Sequence, residues 1–181
     1  MKKLILLLLI VPMISFGQLE FGSGFSIDPN VVLVEGVDST ELYNRIKTWV
    51  ANTYINPNEV TVVDTPKQIR IRAISSNFLF YKTFGVTAYI DTRYDLTLDI
   101  KEGKYRFTFT VDSPYMSASD DFNRLKNYRS ANGIPYTSSQ IWKNGKLRKN
   151  GLSRQSFKTA NETLNFYFES IKTAVLNPKL F

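Results

Sequence analysis

Apolar and polar residues alternate most regularly between residues 90 and 111. In the stretch 90–100 the even positions are apolar, except Thr92, and the odd positions are polar. After Glu102-Gly103 the apolar positions are odd, in the stretch 105–111. A period of two is that of a strand with one buried face, so this pattern predicts two strands joined by a two-residue turn.

The length of the turn also predicts which residues of the two strands face each other. In this register each apolar residue meets an apolar one, and Asp99 meets the opposite charge of Arg106. A shift of one residue would place apolar side chains opposite polar ones along the whole hairpin. The expected pairs are Lys101–Lys104, Ile100–Tyr105, Asp99–Arg106, Leu98–Phe107, Thr97–Thr108 and Leu96–Phe109.

Three earlier stretches predict further strands. Val31–Val34 and Glu59–Asp64 are short runs rich in β-branched residues. In residues 69–80 the apolar positions are first odd and then even, which predicts a bulge or a break at Ser75–Asn77. The side chains expected on the buried face after this point are Phe78 and Phe80.

Two other stretches have the spacing of helices. Asp38, with Glu41 three residues later, has the form of a capping box at the start of the first helix, and Asn56-Pro57-Asn58 ends it. The second helix is long and ends at Asn177-Pro178. The apolar stripes are Leu42, Ile46, Trp49 and Val50 in the first helix, and Phe157, Ala160, Leu164, Phe168, Ile171 and Val175 in the second.

The predicted order of elements is therefore β-α-β-β-β-β-α. One sheet with an apolar face and two helices upon that face make a two-layer α+β sandwich. With 181 residues, 43% of them hydrophobic, the chain suits one folded domain. We place this domain at residues 31–176, after a leader loop at 18–30, with a long insertion at 114–152 and a tail at 177–181.

The first 17 residues have the pattern of a signal peptide. Lys2 and Lys3 precede an apolar run from Leu4 to Val11, and small residues precede an expected cut between Gly17 and Gln18. A membrane-spanning helix needs about 20 apolar residues, more than this run supplies, and no later stretch is as apolar. The sequence therefore predicts a periplasmic or secreted protein whose mature chain has no transmembrane segment.

The composition disfavours much of enzyme chemistry. The chain has neither Cys nor His, which excludes disulfides and thiolate metal sites and removes the commonest general base. Asp91, Asp95 and Asp99 lie on one face of a strand, but residues four apart in a strand are about 13 Å apart and cannot share an ion. Ion pairs with arginines on the neighbouring strands explain them better. We expect no catalytic residues, no metal and no cofactor.

The insertion carries the most uneven charge in the chain. Residues 122–161 contain nine Lys or Arg and no Asp or Glu, with aromatic residues between them, and Asn144-Gly145 predicts the turn of a small hairpin. Such a segment suits an anionic surface, for example lipid headgroups, an acidic glycan or an acidic protein. The alternative is a solvated loop whose aromatic residues only attach it to the core. The candidate contact residues are Arg124, Lys126, Arg129, Trp142, Lys143, Lys146, Arg148 and Lys149.

The many aromatic residues allow a second hypothesis, a carrier of a small apolar ligand. The ligand would lie between the last helix and the sheet, in a pocket lined by Phe107, Phe109, Leu164 and Phe168. Large aromatic side chains are equally able to fill a core, and a filled core is the simpler interpretation.

Several stretches resemble an uncharacterised bacterial envelope family described as a domain of unknown function with a TATA-binding-protein-like (TBP-like) fold. They are Val31–Gly36, Glu41-Leu42-Tyr43 with Trp49, and the hairpin Tyr94–Phe109. With the last helix, the resemblance covers residues 31–113 and 154–176. It implies a curved antiparallel sheet with two helices on one face, and it implies no activity. The resemblance implies two known uses of this fold: a curved sheet that binds nucleic acid, and a long C-terminal helix that covers a cavity for apolar ligands. Export disfavours nucleic-acid binding, whereas the covered cavity agrees with the carrier hypothesis.

The sequence thus predicts an exported, non-enzymatic binding module of the cell envelope. Its basic insertion would contact an anionic surface or an acidic protein, and nucleic acid is not expected as a partner. The carrier of a small apolar ligand is the alternative.

Overall fold

A computed structural model describes residues 18–22, 25–83, 86–115, 142–144, 146–149 and 151–180. The predicted signal peptide at 1–17 and most of the predicted insertion lie outside these ranges. The elements are β1 (Asn30–Leu33), α1 (Ser39–Thr53), α2 (Pro57–Val60), β2 (Thr61–Thr65), β3 (Gln68–Thr83), β4 (Val86–Lys101), β5 (Lys104–Tyr115), β6 (Trp142–Lys143), β7 (Lys146–Leu147), α3 (Gly151–Leu176) and a 3-10 turn (Pro178–Leu180).

The sheet is antiparallel throughout, with strand order β1-β5-β4-β3-β2, while β6 and β7 form a separate hairpin. Helices α1 and α3 pack on one face of the sheet, and Trp49 Nε1 of α1 donates a hydrogen bond of 2.8 Å to Ser170 Oγ of α3. The predicted α+β class and the predicted order of the main elements are confirmed. Two short elements were not predicted, the single turn of α2 and the 3-10 turn at Pro178–Leu180. Pro57 occupies the first turn of α2 and delays β2 to Thr61.

The pairing of β4 with β5 is the one predicted from the turn. All six expected pairs, from Lys101–Lys104 to Leu96–Phe109, are present. Gly103 has φ +66°, a conformation that glycine adopts without steric cost, and its N–H donates to the carbonyl of Val37. The turn is therefore bound to the segment between β1 and α1.

The bulge in β3 is also confirmed, but its effect on the following side chains differs from the prediction. The register with β4 shifts between Ser75 and Leu79, and Asn77 has φ +56°. Phe78 and Leu79 are both fully buried, whereas Phe80 is half-buried and pairs with the exposed Tyr89. The extra residues of the bulge change the phase of the strand, so Leu79 takes the inward position predicted for Phe80.

The two predicted apolar stripes form the helical side of the core. Every residue predicted for the stripes of α1 and α3 is buried. Asp38 caps α1, because its carboxylate accepts a hydrogen bond of 2.8 Å from the N–H of Glu41. The Glu41 side chain itself accepts from Arg45 Nε at 2.8 Å, within the helix.

The segment before β1 belongs to the core. It makes an isolated bridge between Ser26 and Thr110, and Phe21, Phe25 and Ile27 are buried. The sequence predicts a leader loop at residues 18–30, and the described residues before Asn30 lie outside the named strands and helices. Because residues 18–30 have no periodic pattern of apolar residues, the sequence did not predict that Phe21, Phe25 and Ile27 belong to the core.

Candidate functional site

The predicted small hairpin is present at the end of the basic insertion. Trp142 pairs with Leu147 and Lys143 pairs with Lys146, so that the turn falls at Asn144, which has φ +53°. Asparagine tolerates this left-handed conformation better than most residues. The residue types at the turn thus explain why the chain reverses here.

The hairpin presents a cluster of cations to solvent. Lys143, Lys146, Arg148 and Lys149 are all exposed, while Leu147 is half-buried against the core. The four cationic side chains line, with Asn144 and Leu147, an open depression of about 530 Å³. Leu147 thus anchors a surface of four positive charges, which we call the basic hairpin (residues 142–149).

The other predicted contact residues are placed only in part. Arg124, Lys126 and Arg129 lie outside the described residues, and Trp142 is placed in β6 by its backbone. Lys158, further along the same acid-free stretch, is exposed on α3 and lies 3.6 Å from Glu162. The structure therefore brings together four of the seven predicted cations.

The outward face of the sheet carries the predicted ion pairs. Asp95 lies 2.7 Å from Arg70 and 2.9 Å from Arg72, and Asp99 lies 2.7 Å from Arg106. Burial alone would raise the pKa of Asp99, but hydrogen bonds from Gln68 and Arg106 bring it below its usual range. The carboxylates are thus occupied by cationic and amide side chains. Within the described residues, no group of three acidic side chains is placed to hold a metal ion.

The third aspartate of this strand has a different partner. Asp91 is largely buried and accepts a hydrogen bond of 2.9 Å from the N–H of Asn77, in the bulge of β3. It satisfies a backbone donor that the bulge removes from the ladder. We therefore assign Asp91 a structural role.

The residues of the hypothetical apolar pocket are all buried in the layer between α3 and the sheet. The ring centroids of Phe107 and Phe168 are 5.2 Å apart, edge to face, and those of Phe107 and Phe109 are 6.4 Å apart. Leu164 is fully buried in the same cluster. These contacts agree with the filled core, and the pocket stays a prediction.

The hydroxyl groups of the buried Tyr94 and Tyr105 differ in whether they have a hydrogen-bond partner. The hydroxyls of Tyr54 and Tyr94 are 2.8 Å apart, and the ring of Tyr94 stacks on Phe109 at 4.8 Å. The hydroxyl of Tyr105 is buried and has no hydrogen-bond partner within the part of the chain that the structure describes. Burial raises the pKa of all three, so each stays protonated at neutral pH.

A polar cluster that sequence analysis missed joins α1 to β2. Asp64 accepts hydrogen bonds from the Tyr43 hydroxyl, at 2.6 Å, and from Lys47 Nζ, at 2.9 Å. These bonds hold the pKa of Asp64 below its usual range, and the bond from Tyr43 has the largest effect. The spacing of Tyr43 and Lys47 on one helix face was visible in the sequence, but their partner on another element was not.

Residues 29–113 match the model of a family described as a domain of unknown function (DUF4468) with TBP-like fold. This stretch is similar to the DUF4468 family. The predicted resemblance and the TBP-like fold are confirmed.

Two crystal structures are similar to this chain in fold. A TBP-like protein from Parabacteroides distasonis ATCC 8503 has a TM-score of 0.58 and 14% identity, over 84% of this chain and 94% of its own. A DUF4468 family protein from Bacteroides ovatus ATCC 8483 has a TM-score of 0.58 and 12% identity, over 88% of this chain and 91% of its own. No curated protein matches the sequence significantly. At these identities the likeness concerns the fold alone.

The match to the DUF4468 model ends before the basic hairpin. The matched residues contain β1 to β4 and most of β5, with α1, whereas the basic hairpin and α3 follow residue 113. The hairpin is thus a feature of this chain beyond the matched domain. Among the described residues, no helix combines the length and apolar character needed to cross a membrane.

Proposed function

We propose that this protein is an exported, non-enzymatic binding module of the cell envelope, whose basic hairpin contacts an anionic surface or an acidic protein. The observation that carries the proposal is the cluster of four exposed cations around one depression, at Lys143, Lys146, Arg148 and Lys149. A cluster of positive charges attracts an anionic partner over a distance, and the affinity falls as the salt concentration rises because salt screens the charges.

The sequence around the hairpin favours the same partner. Residues 122–161 contain no acidic residue, so no carboxylate from this stretch competes for the cations. The pattern of residues 1–17 is typical of exported proteins, and an exported protein would meet anionic lipid headgroups and acidic glycans. Binding rather than catalysis also agrees with the absence of Cys and His from the chain.

Charge reversal on the hairpin tests the proposal. In the variant Lys143→Glu/Lys146→Glu/Lys149→Glu we expect cosedimentation with phosphatidylglycerol vesicles to weaken at least about a hundredfold, since each basic residue near an anionic membrane contributes about 1 kcal/mol. Wild-type binding should also fall steeply as the salt concentration rises. Vesicles of neutral phosphatidylcholine should bind neither protein.

A matched control separates the hairpin from the overall charge. Lys67, Lys101 and Lys104 are also exposed, in or beside the turns before β3 and β5, and their reversal changes the net charge by the same amount. This control should lose much less affinity than the hairpin variant. Equal losses in the two variants, or binding that ignores salt, would contradict the proposal.

The carrier of a small apolar ligand is the second candidate, and it is favoured by the Tyr105 hydroxyl. This group is buried beside the aromatic layer and has no partner within the described chain, so a ligand with a polar end could satisfy it. Native mass spectrometry of protein purified gently from its host's envelope should then show an extra mass that disappears on denaturation. Leu164→Trp and Phe168→Trp should abolish that mass without unfolding the protein, and full uptake in both variants would refute the pocket.

A further inference from the structure

Residues 18–22, which we call the strap, lie against α3 and are held there by two asparagine side chains. Asn165 accepts from the N–H of Leu19 at 2.9 Å and donates to its carbonyl at 2.8 Å. Asn161 accepts from the N–H of Phe21 at 3.0 Å. Because Asn161 and Asn165 are four residues apart, they lie on one face of the helix. Their side chains bond backbone groups of the strap that a neighbouring strand would otherwise bond.

The strap also places one side chain in a matching socket of the core. Phe21 is only 4% exposed, and its ring centroid lies 5.8 Å from that of Phe78 and 5.7 Å from that of Phe109. The socket and the asparagine pair together fit an extended segment. Its first residue, here Leu19, bonds Asn165 through its backbone, and an aromatic residue, here Phe21, follows two positions later. They would accept the same segment from another molecule equally well.

The turn after the strap is strained. The N–H of Gly22 donates to the carbonyl of Ser26 at 2.9 Å, and the N–H of Phe25 donates to the carbonyl of Gly22 at 3.2 Å. This turn leaves Phe25 at φ +55°, a left-handed conformation that is unfavourable for a bulky residue. The chain beyond the turn is fixed, since the N–H of Val111 donates to the carbonyl of Phe25 at 3.0 Å.

We propose that the strap exchanges between two copies of this chain, giving a dimer in which each strap lies on the α3 helix of its partner. Rotation at Phe25 opens the turn, and the contacts of Leu19 and Phe21 with α3 and the core are then remade in the second copy. Exchange of identical elements conserves the contacts and closes with two-fold symmetry. Relief of the strain at one such residue favours the open form by about tenfold. The partner is therefore a second copy of this chain.

Disulfide trapping tests the exchange without background, because the chain contains no cysteine. The single variants Leu19→Cys and Asn165→Cys cannot form an internal disulfide, because each contains one cysteine. When the two are expressed from the full reading frame, unfolded together, refolded at high concentration and oxidised, exchange should give a heterodimer linked between strap and helix. Phe166→Cys, which is exposed and about 100° further around α3, replaces Asn165→Cys in the control.

The expected yield of the linked heterodimer is at least about tenfold above this control, from the strain relieved at the hinge. A second measurement uses the unmodified protein, so that it does not depend on the folding of the cysteine variants. Isotopically light and heavy protein, refolded together, should give a dimer of mixed mass in native mass spectrometry. A monomer alone at high concentration, with cross-linking equal to the control, would overturn the proposal.

Discussion

Arg72 and Asp95 face each other across β3 and β4, and the guanidinium group donates to both carboxylate oxygens, at 2.9 and 3.0 Å. Arg70 donates to the same carboxylate at 2.7 Å. The bonds from Arg72, and then from Arg70, hold the pKa of Asp95 below its usual range against the opposing effect of burial. One carboxylate thus links two cations on the outward face of the sheet.

Replacing this carboxylate should cost stability and change its dependence on pH. In Asp95→Asn the two guanidinium groups lose their shared anion, and we expect the free energy of unfolding near neutral pH to fall by about 1 to 2 kcal/mol. Because the pKa of Asp95 is lower in the folded state, its contribution is present above the usual carboxyl pKa of about 3.9 and is lost as the pH falls through the folded value.

Urea unfolding between about pH 7 and about pH 3 measures this dependence. The wild-type protein should lose more stability over this interval than Asp95→Asn does. Asp28→Asn, at an exposed position before β1, is the control and should behave as the wild type. If Asp95→Asn kept the full pH dependence, the ion pairs would not be its source.

The strap should contribute to the core as strongly as a residue of the sheet. Phe21→Ala removes a ring that is only 4% exposed, and we expect a loss of about 3 kcal/mol in the free energy of unfolding. Phe166→Ala makes the same change at a side chain that is 63% exposed, and should cost less than about 0.5 kcal/mol. Equal losses by urea unfolding would show that the strap is not packed against the core.

The buried hydroxyls of Tyr94 and Tyr105 should respond differently to replacement of the tyrosine by phenylalanine. Tyr94→Phe removes the hydrogen bond to Tyr54 and leaves that hydroxyl unpaired, which should cost about 1 to 2 kcal/mol. Tyr105→Phe removes a group without a partner in the described chain, and should be neutral or stabilising by about 1 kcal/mol. Thermal unfolding of the two variants decides this, and a destabilised Tyr105→Phe would point to a partner such as a bound ligand.

The candidate surfaces were predictable to different degrees. The turn at Asn144 and the cations around it follow from neighbouring residues, so the basic hairpin was expected with its pairing. The ion pair of Asp99 and Arg106 followed from the register of the turn. The cluster of Tyr43, Lys47 and Asp64 was not expected, because it joins a helix to an edge strand whose approach no local pattern encodes.

The sequence by itself determined the strands, the helical stripes and the register of the long hairpin, because alternation, helical spacing and turn length depend on residues close together in the chain. The tertiary structure decided where distant segments meet. Leu19 binds Asn165, which is 146 positions away in the sequence. The bulge at Asn77 places Leu79, and not Phe80, on the buried face. Such contacts depend on how the layers of the fold pack, a property of the whole chain that no short stretch specifies.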